Sequence, residues 1–230
     1  MKTIGLLGGM TCESSAVYYR LINNFTRIKL GGIHSAKSVM VSVDFGYVRP
    51  FMETGEWNKV SKIMVETATS IEKGGADCLV ICTNTIHKFA ELIEQKIKIP
   101  LLNIIDTTAQ AIKNKNTKKV GLLGTSFTME EDFYKKRLKD KHEINTIIPL
   151  TDEIKIVHQI IMDELSIGII KQSSKEIYWK IINNLVNRGA EGIILGCTEI
   201  PLLVFQEEGE IPLYDTTAIH AQAAVDYANS

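Results

Sequence analysis

The chain has 230 residues, 45% hydrophobic and 23% charged, with 26 Lys+Arg against 27 Asp+Glu and a formal net charge of -1. This composition excludes a disordered, collagen-like or coiled-coil chain, and a field so close to neutral gives no attraction to nucleic acid or an anionic membrane. The expected partner is a small molecule or another protein.

The stretch from Ile4 to Met10 is apolar but broken by glycines, too short for a signal segment or a membrane span, and a cytoplasmic location is expected. Buried strands, rich in Val, Ile and Leu, are predicted in order over 3–7, 38–43, 77–82, 101–105, 119–123, 145–148, 192–196 and 212–214. Between them the period becomes helical. Val60, Ile63, Met64, Thr67, Ala68 and Ile71 follow the i, i+3, i+4 series, as do Ile177, Ile181, Ile182, Leu185 and Val186. The alternation predicts an α/β protein with parallel sheets covered by helices.

An internal repeat organises the whole. Lys2-Thr3-Ile4-Gly5-Leu6-Leu7-Gly8-Gly9 returns as Lys118-Lys119-Val120-Gly121-Leu122-Leu123-Gly124-Thr125. Gly75-Ala76-Asp77-Cys78-Leu79-Val80-Ile81-Cys82-Thr83-Asn84 returns as Gly189-Ala190-Glu191-Gly192-Ile193-Ile194-Leu195-Gly196-Cys197-Thr198. Ile99-Pro100-Leu101 matches Ile211-Pro212-Leu213, and Asp106-Thr107-Thr108 matches Asp215-Thr216-Thr217. Two pseudo-symmetric lobes are expected, 1–115 and 116–230, joined in the polar stretch from Lys113 to Lys118, with a C-terminal helix able to pack back on the first lobe.

Ligands of open parallel sheets bind beyond the carboxyl ends of the strands. The candidate loops are therefore Gly8-Gly9-Met10-Thr11, Thr83-Asn84-Thr85, Thr125-Ser126 and Cys197-Thr198-Glu199, facing a cleft between the lobes. Backbone N–H groups there suit a carboxylate. Cys197 ends a strand before a helix expected to begin at Glu199 and Ile200, a position that would favour its thiolate. By the repeat Thr83 is its counterpart, whereas Cys82 should point to the other face of its strand. Asn84 is expected to cap the helix that carries His87, itself read as a supporting residue. The opening glycines lack G-x-G-x-x-G spacing and a P-loop is absent, so no nucleotide cofactor is expected. The cysteines have no second ligand pair for zinc, so no metal is expected either.

On Gly8-Gly9-Met10, Thr83-Asn84-Thr85-Ile86-His87 and Gly196-Cys197-Thr198-Glu199 the chain resembles the aspartate/glutamate racemases, over its whole length. The resemblance implies two lobes with the active site between them, no cofactor, a homodimer, and one catalytic cysteine from each lobe beside the substrate α-carbon. It makes Cys197 one base. It puts Thr83 where the family carries the other cysteine, Cys82 being one place too early, and puts Cys12 where relatives often carry Trp. Met10, Asn84, Thr85, Thr125, Ser126, Thr198 and Glu199 become substrate-binding candidates, with Arg49 for the side-chain carboxylate of an acidic substrate. The expected activity is cofactor-independent racemisation of aspartate or glutamate, favouring L-substrates. The alternatives are a broad-specificity amino-acid racemase, a related hydantoin racemase or maleate isomerase, and a catalytically idle binding protein.

Overall fold

The computed structural model describes residues 1–230, the side chain of Glu207 apart. It contains eight strands and ten α-helices: β1 Ile4–Gly8, α1 Cys12–Leu30, β2 Ser38–Ser42, α2 Phe45–Glu53, α3 Trp57–Lys73, β3 Cys78–Ile81, α4 Ala90–Glu94, β4 Leu101–Leu102 and α5 Ile104–Asn114 come first. Next in the chain are β5 Lys119–Gly124, α6 Ser126–Glu130, α7 Asp132–His142, β6 Asn145–Ile147, α8 Thr151–Asp163, α9 Gln172–Asn187, β7 Ile193–Gly196, β8 Leu213–Asp215 and α10 Thr216–Ala228. The strands form two all-parallel sheets of the same order, β2-β1-β3-β4 and β6-β5-β7-β8. The repeat read from the sequence is thus a repeat of topology.

One predicted strand is cut short. Residues 101–105 form β4 only over Leu101–Leu102, and Ile104 and Ile105 open α5. Thr107 and Thr108 bond back to the Ile104 carbonyl at 3.0 and 2.7 Å, closing the first helical turn, and both isoleucines are buried.

The chain divides into two compact units, Met1–Asn103 with His220–Ser230, and Ile104–Ile219. The polar stretch 113–118 lies inside the second, between α5 and β5. In the first unit β1 and β3 are buried at every position, and Ile4, Leu6 and Val80 pack with Tyr18 and Ile22 of α1 and with Ala221, Ala224 and Val225 of α10. In the second unit one layer joins Leu123 and Leu195 to Val157, Ile161, Ile181, Ile182 and Leu185. The other joins Val120 and Ile194 to Ile104, Ile105, Ala109, Ile112, Tyr134 and Leu138. Each such aliphatic side chain contributes about 1.5–3 kcal/mol on burial.

The repeated glycines serve packing. A Cβ on Gly5 would stand 2.3 Å from Ile71 of α3, and one on its counterpart Gly121 would stand 2.9 Å from Leu185 of α9. Each lets a helix lie close on its central strand. The opposite strand ends are tied alike: Asp77 accepts the Thr3 N–H at 2.6 Å, and Glu191 accepts the Lys118 N–H at 2.7 Å.

Asp106 of α5 holds α7 by accepting a bidentate pair from Arg137, at 2.7 and 2.6 Å, and a 2.8 Å bond from His142. Burial pushes the Asp106 carboxyl up, and Arg137 and His142 more than reverse this, leaving it below its ordinary value. Arg137→Leu should therefore lower the unfolding free energy at pH 7 by about 1–2 kcal/mol, the partial exposure of Asp106 keeping the loss small. A depressed carboxyl contributes stability above its unfolded value and loses it as the pH falls, so the gap between variant and parent should shrink below about pH 4. Urea denaturation at pH 7 and pH 3 checks this. A gap of equal size at both would mean that Arg137 acts through packing alone.

Candidate active site

In the first unit the glycine loop after β1 is closed upon α1. Gly9 has φ +93°, and a Cβ there would stand 2.0 Å from the Val43 carbonyl oxygen. Its N–H donates to Ser15 Oγ at 2.7 Å, the Ser15 hydroxyl donates to the Thr11 carbonyl at 3.0 Å, and Thr11 Oγ1 caps α1 by accepting the Ser14 N–H at 3.3 Å. Met10 is buried in this loop. The loop is held by its own helix, as its glycines require.

At the end of β3 the chain presents Thr83, half-buried, and then Asn84 and Thr85, both buried. Cys82 is buried in the first-unit core, and burial pushes its thiol up. Residues Thr85–Phe89 form a 3₁₀ segment rather than the start of an α-helix, and the Asn84 side chain does not cap it, contrary to the sequence expectation. His87, buried in that segment, donates from Nδ1 to the Thr83 carbonyl at 2.8 Å.

In the second unit Thr125 caps α6, accepting the Thr128 N–H at 3.4 Å. The Ser126 N–H donates to Nδ1 of His158 at 3.2 Å. That nitrogen is the acceptor, so His158 carries its proton on Nε2. His158 was missed in the sequence because it lies on α8, 32 positions from Ser126.

At the end of β7 three consecutive side chains form one hydrogen-bonded set. The half-buried Cys197 thiol donates to Glu199 Oε2 at 2.9 Å, and the Thr198 hydroxyl donates to the same oxygen at 2.6 Å. Thr198 and Glu199 are 6% and 5% exposed, and Cys197 is the most exposed of the three. Burial first, then the charge and hydrogen bond of Glu199, push the Cys197 thiol well above its ordinary value, against the pull of the Glu199 and Thr198 N–H groups. This overturns the expectation that a helix N-terminus favours the thiolate. The segment after Glu199 is a 3₁₀ turn of three residues, Ile200–Leu202, far too short for a helix dipole to outweigh a neighbouring carboxylate. Tyr178 of α9, buried nearby, has its phenol pushed up by burial and then by the charges of Cys197, Glu199 and Glu164. Burial also pushes the Cys78 thiol up, to about 11.

Arg49 lies exposed on α2, where its Nε donates to Glu53 Oε1 at 2.6 Å. Among the described residues no three His, Cys, Asp or Glu side chains cluster so as to hold a metal ion, and no helix is long and apolar enough to cross a membrane.

The duplicated parallel unit thus carries polar loops at matched strand ends, one of them bearing a thiol bonded to a carboxylate. The family description "Asp/Glu/Hydantoin racemase" matches residues 7–224, and this chain belongs to that family, a family of isomerases that includes amino-acid racemases. Among solved structures it is similar to a Yersinia pestis protein described as a candidate Asp/Glu racemase, at 46% identity with a TM-score of 0.93 over 100% of both chains. It is also similar to an aspartate racemase homologue from Pyrococcus horikoshii, at 32% identity and a TM-score of 0.87, again over 100% of both. A curated relative, the broad specificity amino-acid racemase RacX of Bacillus subtilis, is 25% identical over 96% of each chain.

Proposed function

We propose that the chain racemises aspartate or glutamate without a cofactor, with Cys197 as the acid–base group for one face of the α-carbon and Thr83 at the position serving the other. The observation that carries this reading is the Cys197–Glu199 hydrogen bond at the end of β7 in a member of this family. Racemisation needs a base on one face and a proton donor on the other, because one group cannot reach both faces of a planar carbanion.

Cys197 rests as a thiol. For it to accept a proton, its own must leave, and Glu199 Oε2 is the acceptor already bonded to it. The thiolate then takes the α-proton of an L-substrate as the Cα–H bond breaks, its electron pair moving toward the substrate carboxylate. Return of the proton from Cys197 restores the L-enantiomer. Delivery from the Thr83 side, by its hydroxyl or by water, gives the D-enantiomer; solvent then returns a proton to the alkoxide or hydroxide left there and takes up the extra proton held by the Cys197–Glu199 pair. Asn84, Thr85, Thr198 and the backbone N–H groups of both strand-end loops are assigned to the substrate carboxylate, with Met10 and Thr125 as neighbouring walls. The Ser126 N–H and hydroxyl both lie against Nδ1 of His158, at 3.2 and 3.5 Å, so Ser126 is assigned to the substrate through its hydroxyl once that longer contact is given up. The active form is assigned as a homodimer in the cytoplasm, where four free cysteines stay reduced.

Solvent deuterium incorporation at the α-position, measured across L- and D-amino acids, tests the reading. Exchange into aspartate or glutamate is expected; tight binding without exchange would leave a binding protein, and turnover only of hydantoins or maleate would move the chain to another branch of the family. A broader amino-acid range is the second reading. It is favoured by the exposed Arg49–Glu53 pair, which leaves the proposed cation for a side-chain carboxylate occupied at the surface.

Glu199→Gln should lower exchange from L-aspartate about 10²–10³-fold, since a positioned proton acceptor contributes on that order. The residual rate should rise about tenfold per pH unit below the thiol pKa, because the thiolate must then form by loss of a proton to solvent. A pH–rate profile that the substitution leaves unchanged would remove Glu199 from this role.

A further inference from the structure

We infer that His87 is the positioning residue for Thr83: its ring N–H, bonded to the Thr83 carbonyl, sets the direction in which the Thr83 hydroxyl leaves the end of β3. The inference rests on the reading of Thr83 given above and concerns how the first unit orients a residue whose loop, Thr83-Asn84-Thr85, carries no titratable side chain.

Thr83 stands between two fixed points. On one side the Cys82 N–H donates to the Leu7 carbonyl at 2.9 Å, tying the preceding residue to β1. On the other side the Thr83 carbonyl receives Nδ1–H of His87 at 2.8 Å. In an α-helix that carbonyl would receive the backbone N–H four residues on, but the His87 N–H goes to the Asn84 carbonyl at 3.1 Å, and the imidazole takes the i+4 place instead. A carbonyl only accepts, so Nδ1 carries the proton.

The ring itself is backed by a fixed partner. His87 meets His220 edge to face with centroids 5.8 Å apart. His220 is pinned from both nitrogens: Nε2 donates to the Leu102 carbonyl at 2.7 Å, and Nδ1 accepts the Tyr18 hydroxyl at 2.9 Å. Burial drives the His220 imidazole down to about 4, so at neutral pH it presents an uncharged ring to His87. Residues from α1, β4 and α10 thereby hold one imidazole, and that imidazole holds one carbonyl.

The repeat sharpens the assignment. Position 87 corresponds to Pro201 and position 85 to Glu199. The second unit thus places its polar partner two residues after Cys197 and uses it on the side chain. The first unit places its partner four residues after Thr83 and uses it on the backbone. The Nδ1–H that fixes the backbone direction is committed to the Thr83 carbonyl, and its removal should affect transfer at Thr83 in particular.

The test measures two rates on L-aspartate in deuterium oxide, exchange of the α-hydrogen and formation of the D-enantiomer, in the parent, Thr83→Ala, His87→Ala and His87→Asn. The asparagine amide nitrogen occupies nearly the place of Nδ1 and can donate the same bond. His87→Ala should lower the ratio of inversion to exchange about tenfold, within the range that a misplaced catalytic group costs, and His87→Asn should restore it to within about threefold of the parent. Equal falls in both rates in His87→Ala, or equal loss in the alanine and asparagine variants, would overturn the inference. If Thr83→Ala left the ratio unchanged, the reading of Thr83 would fall and the inference with it, an outcome distinct from failure of the His87 variants alone. Should His87→Ala not fold, His87→Gln takes its place: its amide lies one methylene further out, and it should lose the ratio that asparagine keeps.

Discussion

Replacing Cys197 by Ala or Ser is expected to abolish both α-hydrogen exchange and racemisation, a loss of at least about 10²–10⁴-fold. Serine is the sharper of the two. Its hydroxyl can still donate to Glu199, so the local hydrogen bonding survives, but at neutral pH it neither accepts nor releases a proton as a thiol does. Cys12→Ala and Cys78→Ala should leave most activity, because Cys12 is exposed at the start of α1 and Cys78 is buried in the first-unit core. Steady-state racemisation and deuterium exchange on the four variants check this. Comparable losses in all of them would show that Cys197 acts no differently from a structural thiol.

The second large effect is an asymmetry between enantiomers. In the mechanism proposed above, Cys197 serves the face from which an L-substrate loses its proton. On the other face the threonine hydroxyl stays protonated near neutral pH and is a poor base. L-aspartate should therefore exchange readily and faster than it inverts, while D-aspartate should exchange slowly. Thr83→Cys should bring the two directions toward parity, raising D-substrate exchange by about 10²-fold or more. Equal exchange rates for L- and D-aspartate in the unaltered protein would mean that a full base already stands beside Thr83.

Most of this architecture is legible in the sequence because buried parallel strands leave an unbroken apolar signature, as in Ile193–Gly196, and because the duplication writes each strand twice. The loops that end β3 and β7 are legible for the same reason. The failures lie where the outcome depends on one or two local bonds. Leu101 to Ile105 reads as one apolar run, and only the threonines that bond back to Ile104 divide it into strand and helix. Glu199 and Ile200 read as a helix start, yet the turn closes at Leu202, and with the helix goes the argument for a thiolate at Cys197. The bond between Cys197 and Glu199 depends on side-chain direction, and that between His158 and Ser126 on the packing of α8, neither of which has a period or a motif. Arg49 is visible as a cation, but its exposure and its pairing with Glu53 are properties of α2 in place.

The route of the chain through the two units bears on how the protein assembles. Residues 104–219 form one unbroken unit, whereas the first sheet recovers part of its covering layer only from residues 220–230: the Lys2 N–H bonds the Ala228 carbonyl at 2.8 Å, and Ala221, Ala224 and Val225 pack against Ile4, Leu6 and Tyr18. In chain order the second unit is an insertion within the first. During synthesis the insert can therefore complete itself while the earlier half still shows an uncovered apolar face, the condition in which nascent chains aggregate or engage chaperones. The part of the protein made first is the part that must wait longest, and the bond that ends the wait joins Lys2 to Ala228.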